Sequence, residues 1–174
     1  MTSLISQMGL GSVNIVQDDA YLGTIREFMD KNHADPDSVA LESGTPIRDI
    51  YVYNDSGGTL AKSLGLSWKA ANAGKKVDAL SGANLICDGV VDPFLSAPVP
   101  IAGYFWMILC GPIDVEIGAG DITTGALVQT LASGKFGAGT PGTNPIGHSG
   151  EAIEAAVSGA RARVMFNPVF RSVY

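Results

Sequence analysis

The 174-residue chain has the length of one ordinary domain, with 46% hydrophobic but only 16% charged residues and a formal net charge of −6. That balance disfavours a nucleic-acid partner, because the longest basic run is Lys75-Lys76 and phosphate binding needs a clustered positive face. Few charges, 22 glycines and a mean hydropathy of +0.22 imply much apolar surface to hide, part of it against other chains.

The first seventeen residues lack the basic start of a signal peptide, and Gly9, Gly11, Asn14 and Gln17 break up their apolar content, so folding in a cytoplasm is expected. Ala20–Lys31 carries Leu22, Ile25, Phe28 and Met29 at helical spacing behind Asp18 and Asp19 as N-caps, which predicts one short helix. His33–Thr45 has loop chemistry punctuated by Pro36 and Gly44. Eight of the seventeen acids fall in the first fifty residues, with few core patterns among them. Residues 1–46 therefore read as a partly irregular N-terminal arm laid over a neighbour. Leu4, Ile5, Met8, Ile15 and Val16 are its candidate partner-facing residues.

Strand signals become regular from Ile47, giving a domain over residues 47–174. Arg48–Asn54 sets Ile50 and Val52 against Tyr51 and Tyr53, and Asp55-Ser56-Gly57-Gly58 turns the chain. Thr59–Trp68 returns, with a bend expected at Gly65. A polar turn over Ala70–Lys76 precedes strands at Val77–Gly82 and Ala83–Val91, and Asp92–Pro100 crosses over in extended form behind three prolines.

Val99–Ile117 is the most apolar run. Pro100, Gly103, Gly111 and Pro112 interrupt it and Asp114 and Glu116 lie in its far end, which excludes a membrane-spanning helix of about 20 apolar residues. It reads as two strands. Tyr104–Leu109 is buried on both faces, Cys110-Gly111-Pro112 makes a break, and Ile113, Val115 and Ile117 alternate with acids at period two. Beyond it, Ala126–Leu131, Ile146–Ala156 and Ala160–Phe166 supply further strands, with a hairpin-like turn at Ala132–Lys135 before Phe136 and a loop at Gly137–Pro145. The whole predicts a mainly all-β fold, a small β-barrel or sandwich of about eight short strands.

Reactive chemistry is sparse. Cys87 and Cys110 have no metal or CxxC spacing and read as reduced hydrophobes. His148 beside Ser149 is the one hydrolytic pairing in view, but adjacent strand residues point to opposite faces, and a nucleophile needs a base within reach. Asp88, Asp92, Asp114, Glu116 and Asp121 match no cation-binding spacing and read as solvated edge charges. The glycine-rich stretches open no helix in a phosphate-binding pattern. No catalytic residue, metal or cofactor is therefore expected. Trp68, between Ser67 and Lys69, is a candidate interface anchor, since tryptophan is enriched at binding hot spots. Without export, the sequon Asn54-Asp55-Ser56 is a chance match.

Three segments, taken in order, resemble the small head decoration (cement) proteins of tailed bacteriophages. Arg48–Gly65 (RDIYVYNDSGGTLAKSLG) is similar to that family's aromatic strand, small turn and Leu-Ala return. Gly103–Ile117 (GYFWMILCGPIDVEI) is similar to its Gly-aromatic-x-Trp, short apolar strand, Gly-Pro and alternating strand. Ile122–Phe166 carries a counterpart of its Ile-Gly-x-Ala-Leu-Glu-Ala signature at Ile146–Ala152, and of its closing strand at Ala160–Phe166. His148-Ser149-Gly150 stands where the family usually has Ala-Leu, and the acidic arm has no matching segment.

The resemblance implies a non-enzymatic virion protein, made in the host cytoplasm and placed on the capsid exterior. It would be homotrimeric and bound to the major capsid protein at junctions between capsomers, stabilising the shell without nucleic acid or membrane. The alternatives are a tail, neck or baseplate β-barrel component, a glycan-binding β-sandwich using Trp68 with Tyr51 or Tyr53, and a small hydrolase using His148 with Ser149 or Cys110.

Overall fold

A computed structural model describes residues 19–29, 45–83, 85–140 and 148–167. The chain is all-β. Ten strands run in order: β1 Ile25–Met29, β2 Pro46–Asn54, β3 Gly65–Trp68, β4 Lys76–Ala79, β5 Gly89–Val91, β6 Tyr104–Glu116, β7 Leu127–Thr130, β8 Phe136–Ala138, β9 His148–Ala152 and β10 Arg161–Phe166. Among the described residues no helix is long and apolar enough to cross a membrane.

The pairings trace two circuits that share β6. In the first, β2 pairs β4, β4 pairs β3, β3 pairs β5, β5 pairs β6, and β6 returns to β2. In the second, β6 pairs β10, and β9, β7 and β8 follow. A parallel bridge from Phe136 to Ile117, just past the end of β6, joins the far edge back. β1 lies outside both circuits, antiparallel on the edge of β2.

β6 serves two cores because its sequence changes character halfway. Phe105 and Met107 enter a cluster with Ile50, Val52, Leu66, Val77, Val91 and Leu95 inside the first circuit. Ile113, Val115 and Ile117 enter another with Val128, Phe136, Val164 and Phe166. Ile108 joins this second cluster from the opposite face of the first half, so residues 105–108 are buried on both faces, whereas Asp114 and Glu116 stay half-exposed. The burial pattern follows the sequence expectation. The peptide of Ser63 ties the halves together: its N–H donates to the carbonyl of Val91, and its carbonyl accepts from the N–H of Glu116.

Two expectations are corrected. The break predicted at Cys110-Gly111-Pro112 is absent, and β6 is one thirteen-residue strand. The register against β2 shifts between Arg48 and Asp49, passing over Leu109, and Gly111 adopts φ +117°. A bulge and a glycine thus absorb the bend without ending the strand. Pro112 falls where β10 alone pairs with β6, leaving one edge open to a residue without an N–H.

The helix predicted over Ala20–Lys31 is instead a 3-10 turn at Asp19–Tyr21 followed by β1. Gly23, at φ +90°, interrupts the helical run, and the open edge of β2 outweighs a weak helical propensity. Part of the predicted arm therefore belongs to the sheet. The candidates Leu4, Ile5, Met8, Ile15 and Val16 lie outside the described residues. The described residues hold ten strands where about eight were expected, and the stretches around them shorten: Thr59–Trp68 pairs as β3 plus a bridge from Leu60 to Val99.

Gly111 tests the shared strand. A Cβ there would stand 2.8 Å from the carbonyl oxygen of Pro46 and 2.9 Å from Cα of Ile47, both backbone atoms that cannot step aside. Gly57, at φ +75°, has nothing within 4 Å of its added Cβ. Gly111→Ala is expected to cost about 2–4 kcal/mol and Gly57→Ala about 1 kcal/mol, read as shifts of the urea unfolding midpoint.

Candidate interaction surface

The outer face of β2 and β6 carries a strip of aromatic rings. Period two puts Tyr51 and Tyr53 on one side of β2, and the register sets them opposite Trp106 and Tyr104. Tyr51 meets Trp106 at 5.2 Å between ring centroids and Tyr104 at 6.0 Å, while Tyr53 meets Tyr104 edge-on at 5.1 Å. These are favourable aromatic separations. Trp106 is buried, yet it belongs to neither core cluster.

Residues 19–26 cover this strip. The guanidinium of Arg26 lies 4.0 Å from the Trp106 ring centroid, a close cation–π contact. Its Nε donates to both oxygens of Asp49 at 2.9 and 2.8 Å, and Nη2 approaches Oδ2 at 2.7 Å. The hydroxyl of Tyr104 donates to Asp19 Oδ1 at 2.8 Å. Gly23 N–H donates to the Tyr51 carbonyl, and Tyr51 N–H to the Thr24 carbonyl. Farther along β1, Arg48 donates to Glu27 on the exposed side.

Asp49 is fully buried. Burial pushes its carboxyl up to about 6 from 3.8, against the hydrogen bonds and charge of Arg26, with the nearby Asp92 charge adding to the rise. A carboxyl that holds its proton more tightly folded than unfolded stabilises the fold below about pH 4, and that contribution disappears as the pH climbs through 6.

At the end of the strip, the buried Asn54 organises two loops. Its Nδ2 donates to the carbonyls of Gly58 and Pro100, and its Oδ1 accepts from the N–H and hydroxyl of Ser56. An asparagine so engaged is closed to glycan attachment in this fold. The node presents Ile101, which is 59% exposed beside Ala102 at φ +60°.

Trp68, on β3, is half-buried and packs against the core of the first circuit, with its N–H donating to Asp88 Oδ2. Tyr51 lies buried under residues 19–26. Tyr53 is half-buried, edge-on to Tyr104 and under the Lys76 ammonium, so Trp68 and Tyr53 keep partial exposure while Tyr51 does not. His148, half-exposed on β9, lines a cavity of about 580 Å3 with Thr124, Leu127, Glu151, Ile153 and Met165. Ser149 is buried and, as the next residue on the strand, points to the other face. Cys110 stands beside Arg48 on the first circuit. His148 and Ser149 thus face opposite sides of β9, and Cys110 stands two strands away, across β10. Cys87 is buried, its thiol donating to the Gly89 carbonyl and pushed up to about 12 by burial.

The acids of the middle third are dispersed. Asp92 accepts from the N–H of Phe94, Asp114 lies 3.9 Å from Arg163, Glu116 pairs with Lys135, and Asp121 accepts from the N–H of Ser158. Among the described residues no group of three or more His, Cys, Asp or Glu side chains could hold a metal ion. The strip and its cover were missed in the sequence. The one available signal was the alternation of Arg26 and Glu27, which complements Asp49 and Arg48.

No known protein family and no curated protein matches the chain. Among solved structures, the N base of head fiber gp8.5 of bacteriophage phi29 is similar at 17% identity and a TM-score of 0.49, over 69% of this chain and 93% of that one. That likeness is too loose to assign function.

The buried carboxyl gives a signed prediction. Asp49→Asn removes the titration, so the stability of the native protein relative to this variant should fall by about 3 kcal/mol between pH 4 and pH 7. Denaturant unfolding of both proteins across that range measures the difference. A constant gap would place the Asp49 carboxyl at its ordinary value.

Proposed function

We propose that this chain is a structural protein of a tailed-phage virion, bound as a homotrimer to the outside of the head at junctions between capsomers. One observation carries the reading. The three segments that resemble decoration proteins, the first separated from the other two by residues 66–102, pair with one another in the sheet. Arg48–Gly65 contains β2, Gly103–Ile117 contains β6, and Ile122–Phe166 contains β7 to β10; β6 pairs with both β2 and β10. Segments that share a fold must meet in this way, whereas chance matches need not.

The physics of the site supports the same reading. A shell pressed outward by packaged DNA is held by added contacts between its subunits, and many copies supply avidity without any single strong bond. Such a protein needs a stiff all-β body and projecting apolar residues, here Ile25, Ile101 and Val157, and it needs no nucleophile. A threefold junction suits a closed oligomer. The partner is the major capsid protein, and the reading includes no enzymatic activity, nucleic acid or membrane.

The purified protein is expected to sediment as a trimer and to adsorb to matching undecorated heads, and deletion of residues 1–20 should weaken adsorption. A monomer that ignores the heads would overturn the proposal. Binding to tails or necks alone would favour the tail-component alternative.

A further inference from the structure

Among the described residues β1 pairs with one strand, β2, as β8 at the other end of the sheet pairs with β7, and its described side-chain contacts are polar and specific. Ile25 is 56% exposed. Among the described contacts, Arg26 lies between Asp49 and Trp106, Glu27 meets Arg48, Asp19 meets Tyr104, and backbone bonds run to Tyr51. These contacts specify the incoming segment but are indifferent to which copy of the chain delivers it.

The connection between β1 and β2 is long for a local hairpin. Met29 pairs directly with Pro46, so the two strand ends are neighbours, and two to five residues usually close such a turn. Residues 30–45 place sixteen between them. That length can reach about 50 Å, more than the width of a domain of this size.

The geometry points to exchange: in the assembled protein, residues 19–29 of one copy lie on the aromatic strip of a second copy, with β1 of the first pairing β2 of the second. Each copy then gives one strand and receives one, and the exchange closes in a ring. The inference rests on the homo-oligomeric part of the reading above, but not on the virion.

Glu27 and Arg48 stand opposite each other, and both are about half-exposed. Directly opposed positions bring Cβ atoms within disulfide range. The full chain carrying Glu27→Cys, Arg48→Cys and Cys110→Ser is oxidised and run on a non-reducing denaturing gel. Exchange predicts covalent multimers that collapse to one chain on reduction. An oligomer whose cross-link closes within a single chain would overturn the exchange and leave the oligomeric reading standing, while a monomer in solution would overturn both. Arg26→Ala gives a second arm that needs no disulfide. Exchange predicts that the oligomer dissociates at a concentration roughly tenfold or more higher. Unchanged association with a lower melting temperature would assign β1 to its own chain.

Discussion

A strand that is apolar on both faces must be covered twice, and β6 meets that requirement by belonging to two pairing circuits. Its first half puts Phe105 and Met107 into one core and Ile108 into the other; its second half puts Ile113 and Val115 into the second core alone. Everything else in the described chain is placed by this demand. β2 and β5 flank the first half, β10 flanks the second, and the remaining strands except β1, which lies on the edge of β2, close the two circuits. Gly111 and the bulge at Leu109 let one strand turn from the first core to the second without losing its partners.

The same arrangement creates the outer aromatic strip. Because Phe105 and Met107 face inward, Tyr104 and Trp106 must face outward, and the register sets them against Tyr53 and Tyr51. An outward aromatic strip is costly to leave in water, and residues 19–26 cover it with Arg26 at the centre. Asp49 neutralises that guanidinium at the cost of its own burial, which leaves a carboxyl pushed up to about 6. The contact is specific because it is polar, and it is sensitive to pH for the same reason.

Much of this was legible in the residues. The alternation of Ile113, Val115 and Ile117 with acids, two-sided burial at 105–108 within the expected Tyr104–Leu109, and the turn at Asp55–Gly58 all follow from local pattern, and the all-β class with them. The continuity of β6 was not legible, since Gly-Pro reads as a stop unless the bulge opposite Arg48 is known. β1 was not legible either. Leu22, Ile25, Phe28 and Met29 fit a helix in isolation, and only the open edge of β2, supplied by residues twenty or more positions later, makes Ile25–Met29 a strand. The aromatic strip required the register between β2 and β6, which no single segment contains. Trp68 was singled out for its polar neighbours, and the two-sided burial expected over Tyr104–Leu109 took in Trp106, which is buried but belongs to neither core cluster.

Copy number on the particle tests most directly the proposal that this double-circuit body is a repeated external part of a phage head. Purified virions containing the chain, compared with their major shell protein by quantitative gel staining, should carry it in hundreds of copies, lost together with the protein's sites on the outer face of the head. A handful of copies, or none, would contradict the account.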